Sequence, residues 1–460
     1  MADLQIVGCR QGDGGIHAVR VRSRWRIMSV THEAGGPGTL RTNVNPTDSN
    51  PTDSNPTDLN PTDLNPNGAR WTESVFGQLV ASFSYTSNPQ PLPEHLWSFS
   101  ELTGWPHQPG IAPSRRFVER TALLSGMLSN LTQCPVDGLD LLSERARFQR
   151  GLHRQGTVSC GGSTRLVMAA DAVMAVALPR ATDVEALSAL FETTVSAEHG
   201  ASEEIWALTA SFLARLPSAH WIERAGLLGL AMTRLREVAV PTVRSPAVRC
   251  RVLGRTASTT TTTAPPVVVD LSALWAGPLC GRLLTLAGAR VIKVEDLHRP
   301  DGARFGSPEF FEHLHRGQER VELDFATQRG REALCALIAS SDVVIEGSRP
   351  RGLAALGINA EQMVLEGNVR AWVSITGFGR TGQHSNRVAF GDDAAVAGGL
   401  VASSGGQACF FGDAPGDPLA GMVAAAAVLL SLRSSFKHLL DVPMAAVTAA
   451  FADREDPSER

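Results

Sequence analysis

Three groups of residues have types and spacing that can do chemistry. The first is the adjacent pair Asp392 and Asp393 in the run Phe390-Gly-Asp-Asp. Neighbouring carboxylates can share protons and raise one of their two pKa values; the plain alternative is a solvated acidic pair in a loop. The second is Asp417, in Gly416-Asp-Pro-Leu-Ala-Gly421. It directly precedes Pro418 and an alanine-rich stretch, so it reads as a helix N-cap, and the dipole of that helix favours the ionised carboxylate. The third is the turn from Asp270 to Gly277-Pro278. Its following helix start can meet an anion such as phosphate, or is only a helix start with proline in its first turn. That turn carries neither G-x-G-x-x-G nor G-x-x-x-x-G-K-S, which removes the main support for nicotinamide or nucleoside-triphosphate binding there. Seven cysteines, Cys9, Cys134, Cys160, Cys250, Cys280, Cys335 and Cys409, lie far apart with no C-x-x-C pair. They predict free thiols, with no disulfide framework and no metal site.

The elements that must position these residues follow a strand-helix rhythm in the C-terminal half. Pro266–Leu271, Arg290–Val294, Asp342–Ile345 and Val369–Thr376 read as strands, and Gly277–Leu286, Gln328–Ile338 and Pro418–Leu432 as helices. Strand-helix-strand spacing of this kind predicts a doubly wound parallel sheet with right-handed crossovers. Ligands of such sheets bind at the carboxyl ends of the strands. In the N-terminal half, Arg165–Leu178 reads as two short strands around Ala169–Asp171. Val184–Thr194, Glu203–Leu216 and Trp221–Leu235 have helical spacing of apolar residues, with Trp206, Phe212 and Leu216 on or near one face as core. Two breaks divide the chain. Residues 45–64 repeat Asn-Pro-Thr-Asp-Ser/Leu, with too few apolar side chains to offset ordering entropy. Arg255–Pro266, with its threonine tract and paired prolines, reads as an extended linker.

The run VVVDLSALWAGPLCGRLLTLAGARVIKVED, starting at Val267, resembles the opening of class III CoA-transferases, the family of formyl-CoA and carnitine CoA-transferases. Ala276-Gly277-Pro278, Ala287-Gly288-Ala289 and Val291–Glu295 match its A-G-P, L-G-A and V-I-K-V-E. His315-Arg316-Gly317 with Val321–Phe325, then Asp342–Pro350, Leu356-Gly357, Val373–Gly382 and Gly416–Gly421 resemble further family segments in the family's order. The resemblance implies transfer of coenzyme A between carboxylic acids. It implies Asp417 as the nucleophile, through a mixed anhydride and an aspartyl-CoA thioester. It implies CoA contacts at Leu274, Trp275 and Ala276, at Leu323 and Asp324, at Gly347, Ser348 and Arg349, and at Arg387. Asp296 and Ala355 stand where the family carries basic residues, with His298, Arg299 and Arg351 nearby as other cations. Racemases of the same superfamily carry G-H-D where Gly391 and Asp392 stand, so an acyl-CoA racemase or epimerase using Asp392 and Asp417 is the alternative. A degenerate, non-catalytic CoA-binding protein is a third.

The likeness also implies an interlocked homodimer, an acyl-CoA donor and an acceptor acid, with coenzyme A as substrate and no tightly bound cofactor. Arg165–Leu178 and Phe212–Leu230 resemble segments of the small domain that follows in the family, so we read that domain as placed first. The expected architecture is α/β: a disordered 1–68, a small α+β domain over 69–250, a linker over 251–266, a Rossmann-like CoA-binding domain over 267–451 and a charged tail over 452–460. A net charge of -4 over 460 residues gives no basic surface for nucleic acid or an anionic membrane. The longest apolar run, Met422–Leu432, is too short to span a bilayer. The N-terminus shows no signal-like apolar stretch, so a cytoplasmic location is expected.

Overall fold

A computed structural model describes residues 114–195, 200–242, 245–256 and 264–452, together with three strand segments nearer the N-terminus. The main sheet is built from Arg249–Arg255 (β1), Val267–Asp270 (β2), Arg290–Asp296 (β3), Glu319–Leu323 (β4), Val343–Glu346 (β5), Ala371–Thr376 (β6) and Phe436–Pro443 (β7). Their spatial order is β4-β3-β2-β5-β6-β7-β1. Every pair from β4 to β7 is parallel, and β1 closes that edge antiparallel to β7. Asp3–Gln5 pairs parallel with β4 and carries Ile16–Val21 and Arg24–Ser29 on the outer edge. These three strands lie within the 1–68 segment, most of which is outside the described residues. The Asn-Pro-Thr-Asp repeats and the tail from residue 453 lie outside the described residues.

The strands alternate side chains between two apolar layers, as a sheet covered on both faces requires. Val268, Val343, Ile345, Val373 and Leu440 face one core. Val269, Val344, Trp372 and Leu439 face the other, under the Gln328–Ala339 and Ala360–Glu366 helices. The first face is covered by Arg115–Thr132 (α1), Ala276–Leu286 (α2) and Gly416–Leu432 (α4), with Gly391–Gly398 (α3) against the end of α4. α4 is apolar on all sides, Ala424 to Ala427 included, and is buried all round, as a helix of that pattern must be. No helix among the described residues is long and apolar enough to cross a membrane.

A second core lies under the antiparallel sheet Thr164–Met168, Val173–Ala177, Ala231–Arg234. The two short strands expected in Arg165–Leu178 are present. The helix expected over Trp221–Leu235 is not continuous. It stops at Leu228, with Gly229 in the left-handed region at φ 73°, the usual glycine C-cap; Ala231–Arg234 is then a strand. Leu216 is not a core residue but 39% exposed. Its helix ends at Leu213, because Leu216 precedes Pro217 and is steered away from helical backbone. β7, not among the strands read from the sequence, is the sixth parallel strand.

α2 and α4 touch backbone to backbone. A Cβ at Gly421 would lie 2.5 Å from the Ala276 carbonyl oxygen, far inside contact distance. Gly421→Ala therefore overpacks this crossing and is expected to lower stability by about 1–3 kcal/mol, read as a lower midpoint in urea unfolding with an unchanged slope.

Candidate active site

β2 and β5 are neighbours, yet the chain leaves them toward opposite faces, to α2 in one core and to Leu353 in the other. At such a divergence, at the carboxyl ends of the strands, α/β sheets bind ligands. Leu274, Trp275 and Ala276 follow β2 and Gly347, Ser348 and Arg349 follow β5, and a Cβ at Gly347 would lie 3.5 Å from that of Ser272 in the first loop. Leu274 holds φ 70°, an uncommon state for a non-glycine residue, and its N–H donates to Asp301 at 3.0 Å. Lys293, the buried lysine of the Val-Ile-Lys-Val-Glu run, sits 3.2 Å from Asp301 and donates to the Ser272 carbonyl, tying the turn down. Trp275 is buried edge-on to Phe310 at 5.2 Å. The Ser348 hydroxyl and Arg349 Nη1 are buried with no hydrogen-bond partner. Burial, then repulsion from Arg351, Arg180 and Arg299, lowers the Arg349 pKa. Unpaired buried donors among converging cations suit an anionic ligand.

The remaining residues expected at the ligand lie on the same edge but apart. Leu323 is buried in the core at the end of β4, and Asp324 binds the Ala326 N–H at 3.0 Å and faces His298 at 3.4 Å. Arg387 is buried, stacked 3.9 Å over Phe378, and donates to Glu237 at 3.1 Å and to the Met232 carbonyl at 3.0 Å. It ties the loop after β6 to the N-terminal half and lines a cleft of about 760 Å³ beside the Ser218–Leu228 helix. Gly377-Phe-Gly379-Arg-Thr-Gly382 fits G-x-G-x-x-G after β6, but no helix follows until Gly391, so the dinucleotide geometry is missing.

Asp417 is not a cap. The N-cap of α4 is Pro415, with no side-chain cap, and Asp417 stands in the first turn. Its N–H donates to the Ala414 carbonyl at 3.0 Å, and its half-buried carboxylate accepts from the Gly391 N–H. A Cβ at Gly391 would lie 2.6 Å from Asp417 Oδ2 and 2.4 Å from the Ala414 oxygen. Only glycine lets these two helix starts meet. Asp392 accepts the Ala414 N–H at 3.0 Å, and Asp393 reaches back to the Phe390 N–H at 2.7 Å. Neither is a solvated loop residue; both are buried in the first turn of α3.

Crowding these acids together has an electrostatic consequence. Burial pushes Asp417 up to about 7; Arg145 opposes this, and Asp392 and Asp413 add to it. Burial and then Asp413 push Asp392 up to about 7 against Arg145 and the Ala414 N–H. Burial holds Asp393 well above the ordinary carboxyl range against the Phe390 N–H. Burial, then Asp413 and Asp392, push the neighbouring Cys160 thiol up to about 12. Asp413 itself is gripped by Arg145, with Nε 2.7 Å from Oδ2. Arg145 and Asp413 are absent from the sequence reading, which names Cys160 only among the free thiols. The spacing of Asp413 four residues before Asp417 was a signal available for one of them; Arg145 is 268 positions away and gave none.

Residues 266–451 match the model of CoA-transferase family III. This segment of the chain is similar to that family. Succinyl-CoA–D-citramalate CoA-transferase of Chloroflexus aurantiacus is 31% identical over 194 residues, covering 38% of this chain and 47% of the relative. Succinate–glutarate CoA-transferase of Agrobacterium fabrum is 29% identical over 180 residues, covering 36% and 43%. The chain thus spans about half the length of the curated relatives it matches. A CAIB/BAIF family protein from Brucella suis of known structure is 27% identical, with a TM-score of 0.36 over 40% of this chain and 53% of that one.

The raised Asp393 pKa means that the folded state holds a proton that the unfolded chain gives up near pH 4. Stability from this group is full below that pH and is lost as pH rises toward the folded pKa. Asp393→Asn keeps the acceptor for Phe390 and removes the titration. Melting curves should show the variant gaining on the parent between pH 5 and pH 8; a pH-independent difference contradicts this.

Proposed function

We propose that this chain moves coenzyme A between carboxylic acids, with Asp417 as nucleophile. The observation that carries the reading is the Asp417 carboxylate, half-buried at the meeting of two helix starts and unused by its own helix. In the first step Asp417 attacks the donor thioester carbon, the C–S bond breaks and CoA leaves as thiolate. The thiolate then attacks the aspartyl carbonyl of the mixed anhydride and releases the donor acid as carboxylate. The acceptor carboxylate attacks the aspartyl-CoA thioester, and the returning thiolate takes the new acyl group, freeing Asp417. No net proton or electron is exchanged. Amides at the starts of α3 and α4 suit stabilisation of the tetrahedral oxyanions.

For the coenzyme, Ser348 and Arg349 are the strongest candidates, as buried donors that a phosphate would satisfy. The order of the six parallel strands, counted from β2, is 3-2-1-4-5-6, that of nucleotide-binding doubly wound sheets. The three-stranded sheet of the N-terminal half docks Ala175 on Val396 of α3, which supports reading that half as a small domain placed first. Two contacts speak against racemisation: no side-chain base fits at Gly391, and Asp392 is buried and held by the Ala414 N–H. The dicarboxylic acids named for the relatives make the first donor and acceptor panel, and a homodimer remains part of this reading.

Asp417→Ala should reduce transfer by roughly 10³-fold or more and abolish the hydroxylamine-sensitive acyl-enzyme seen by intact mass. Because the carboxylate is the attacking form, acyl-enzyme formation should rise about tenfold per pH unit below pH 7 and level off above it. Full activity in the Ala variant, or α-proton exchange in deuterated water without an acceptor acid, would sink the reading. Arg349→Ala should raise KM for acyl-CoA about tenfold or more while changing kcat little, measured by steady-state kinetics.

A further inference from the structure

Arg145 stands on the short turn Glu144–Arg147, more than a hundred residues before the family-matching segment. Its Nε and Nη2 grip both oxygens of Asp413, the fork-on-carboxylate geometry that fixes position as well as charge. The guanidinium lies 5.5 Å from the Trp275 ring. Its side chain is 24% exposed, that of Asp413 6%. Asp413 is followed by Ala414, which holds φ 43°, a strained state for a residue with a Cβ. Ala414 is the hub of the site: its N–H holds Asp392, its carbonyl receives the Asp417 N–H, and its oxygen is the atom pressed against Gly391. Whatever fixes Asp413 therefore fixes the turn that presents Asp417.

Charge gives a second, independent reason. Asp392, Asp393, Asp413 and Asp417 crowd this point, and Arg145 is the cation acting on Asp392 and Asp417. The other ionisable neighbours are Cys160 and, acting on it, Arg154.

We propose that Arg145 is a positioning residue for the transfer reaction, clamping the Asp413–Ala414 turn and setting a positive charge beside Asp417, so that the N-terminal half completes the active site of the family segment. This rests on Asp417 being the nucleophile.

The test uses the full chain with Arg145→Gln, Arg145→Lys and Asp413→Asn. The Asp417 carboxyl is followed by ¹³C NMR on aspartate-labelled protein, assigned by the difference from Asp417→Asn. Acyl-enzyme formation from an acyl-CoA is followed in parallel across pH. Arg145→Gln should move the Asp417 midpoint up by about one pH unit or more, so that acylation falls about ninefold at pH 6 but only about twofold at pH 8; Arg145→Lys should recover part of the shift. Asp413→Asn removes a repelling charge and frees Arg145, so the midpoint should fall, which keeps the proposal testable if the Gln variant does not fold. An unmoved midpoint with a uniform loss across pH overturns it, as does an upward shift in Asp413→Asn. If the parent forms no acyl-enzyme, the nucleophile assignment fails, while the NMR midpoints still decide whether Arg145 acts on Asp417.

Discussion

The site depends on two helix starts approaching until nothing but a hydrogen atom separates them. At Gly391 the backbone of α3 meets the Asp417 carboxylate and the Ala414 carbonyl at distances that no side chain tolerates. One turn further along α4, Gly421 repeats the arrangement against the Ala276 carbonyl of α2. Together these contacts hold one acidic side chain, half-buried, against the Gly391 N–H and strip away part of the water that would keep it weakly basic. The elevated pKa values of Asp417 and Asp392 follow from that exclusion before any neighbouring charge is considered.

Much of the sheet was legible in the sequence. Val267–Asp270 and Val343–Glu346 are apolar runs of strand length, and the helices that follow them stop or start at glycine and proline. A strand buried on both faces carries no alternation, so β7, Phe436–Pro443, which also contains His438 and Asp441, gave no strand signal. The break at Gly229 was misread because Trp221 to Leu235 keeps an apolar rhythm across a glycine whose positive φ ends the helix. Short helices such as Pro308–Leu314 are set by tertiary packing, as Phe310 against Trp275 illustrates.

The candidate site was legible where its residues sit close in sequence and illegible where they do not. Asp417 stood out by its surroundings, although its local reading as a cap was wrong: Pro415 takes that place and leaves the carboxylate free. The buried lysine of Val-Ile-Lys-Val-Glu has a physical cause, since it bridges the Ser272 carbonyl and Asp301 beneath the strained Leu274 turn. Arg145 belongs to a stretch, Glu-Arg-Ala-Arg, that could sit on any helix surface. Its role appears only when the Asp413 turn is folded onto it.

The distance along the chain between partners also bears on how the molecule is made. α1 buries Phe117, Leu124 and Leu128 in the same core as α4, and Arg120 donates to the Ala450 carbonyl, 330 positions later. During synthesis the apolar face of α1 leaves the ribosome long before its partner exists. Contacts of such high sequence separation slow folding and leave sticky surface uncovered meanwhile. A nascent chain of this design has reason to need a holding chaperone until its last strand, β7, is in place.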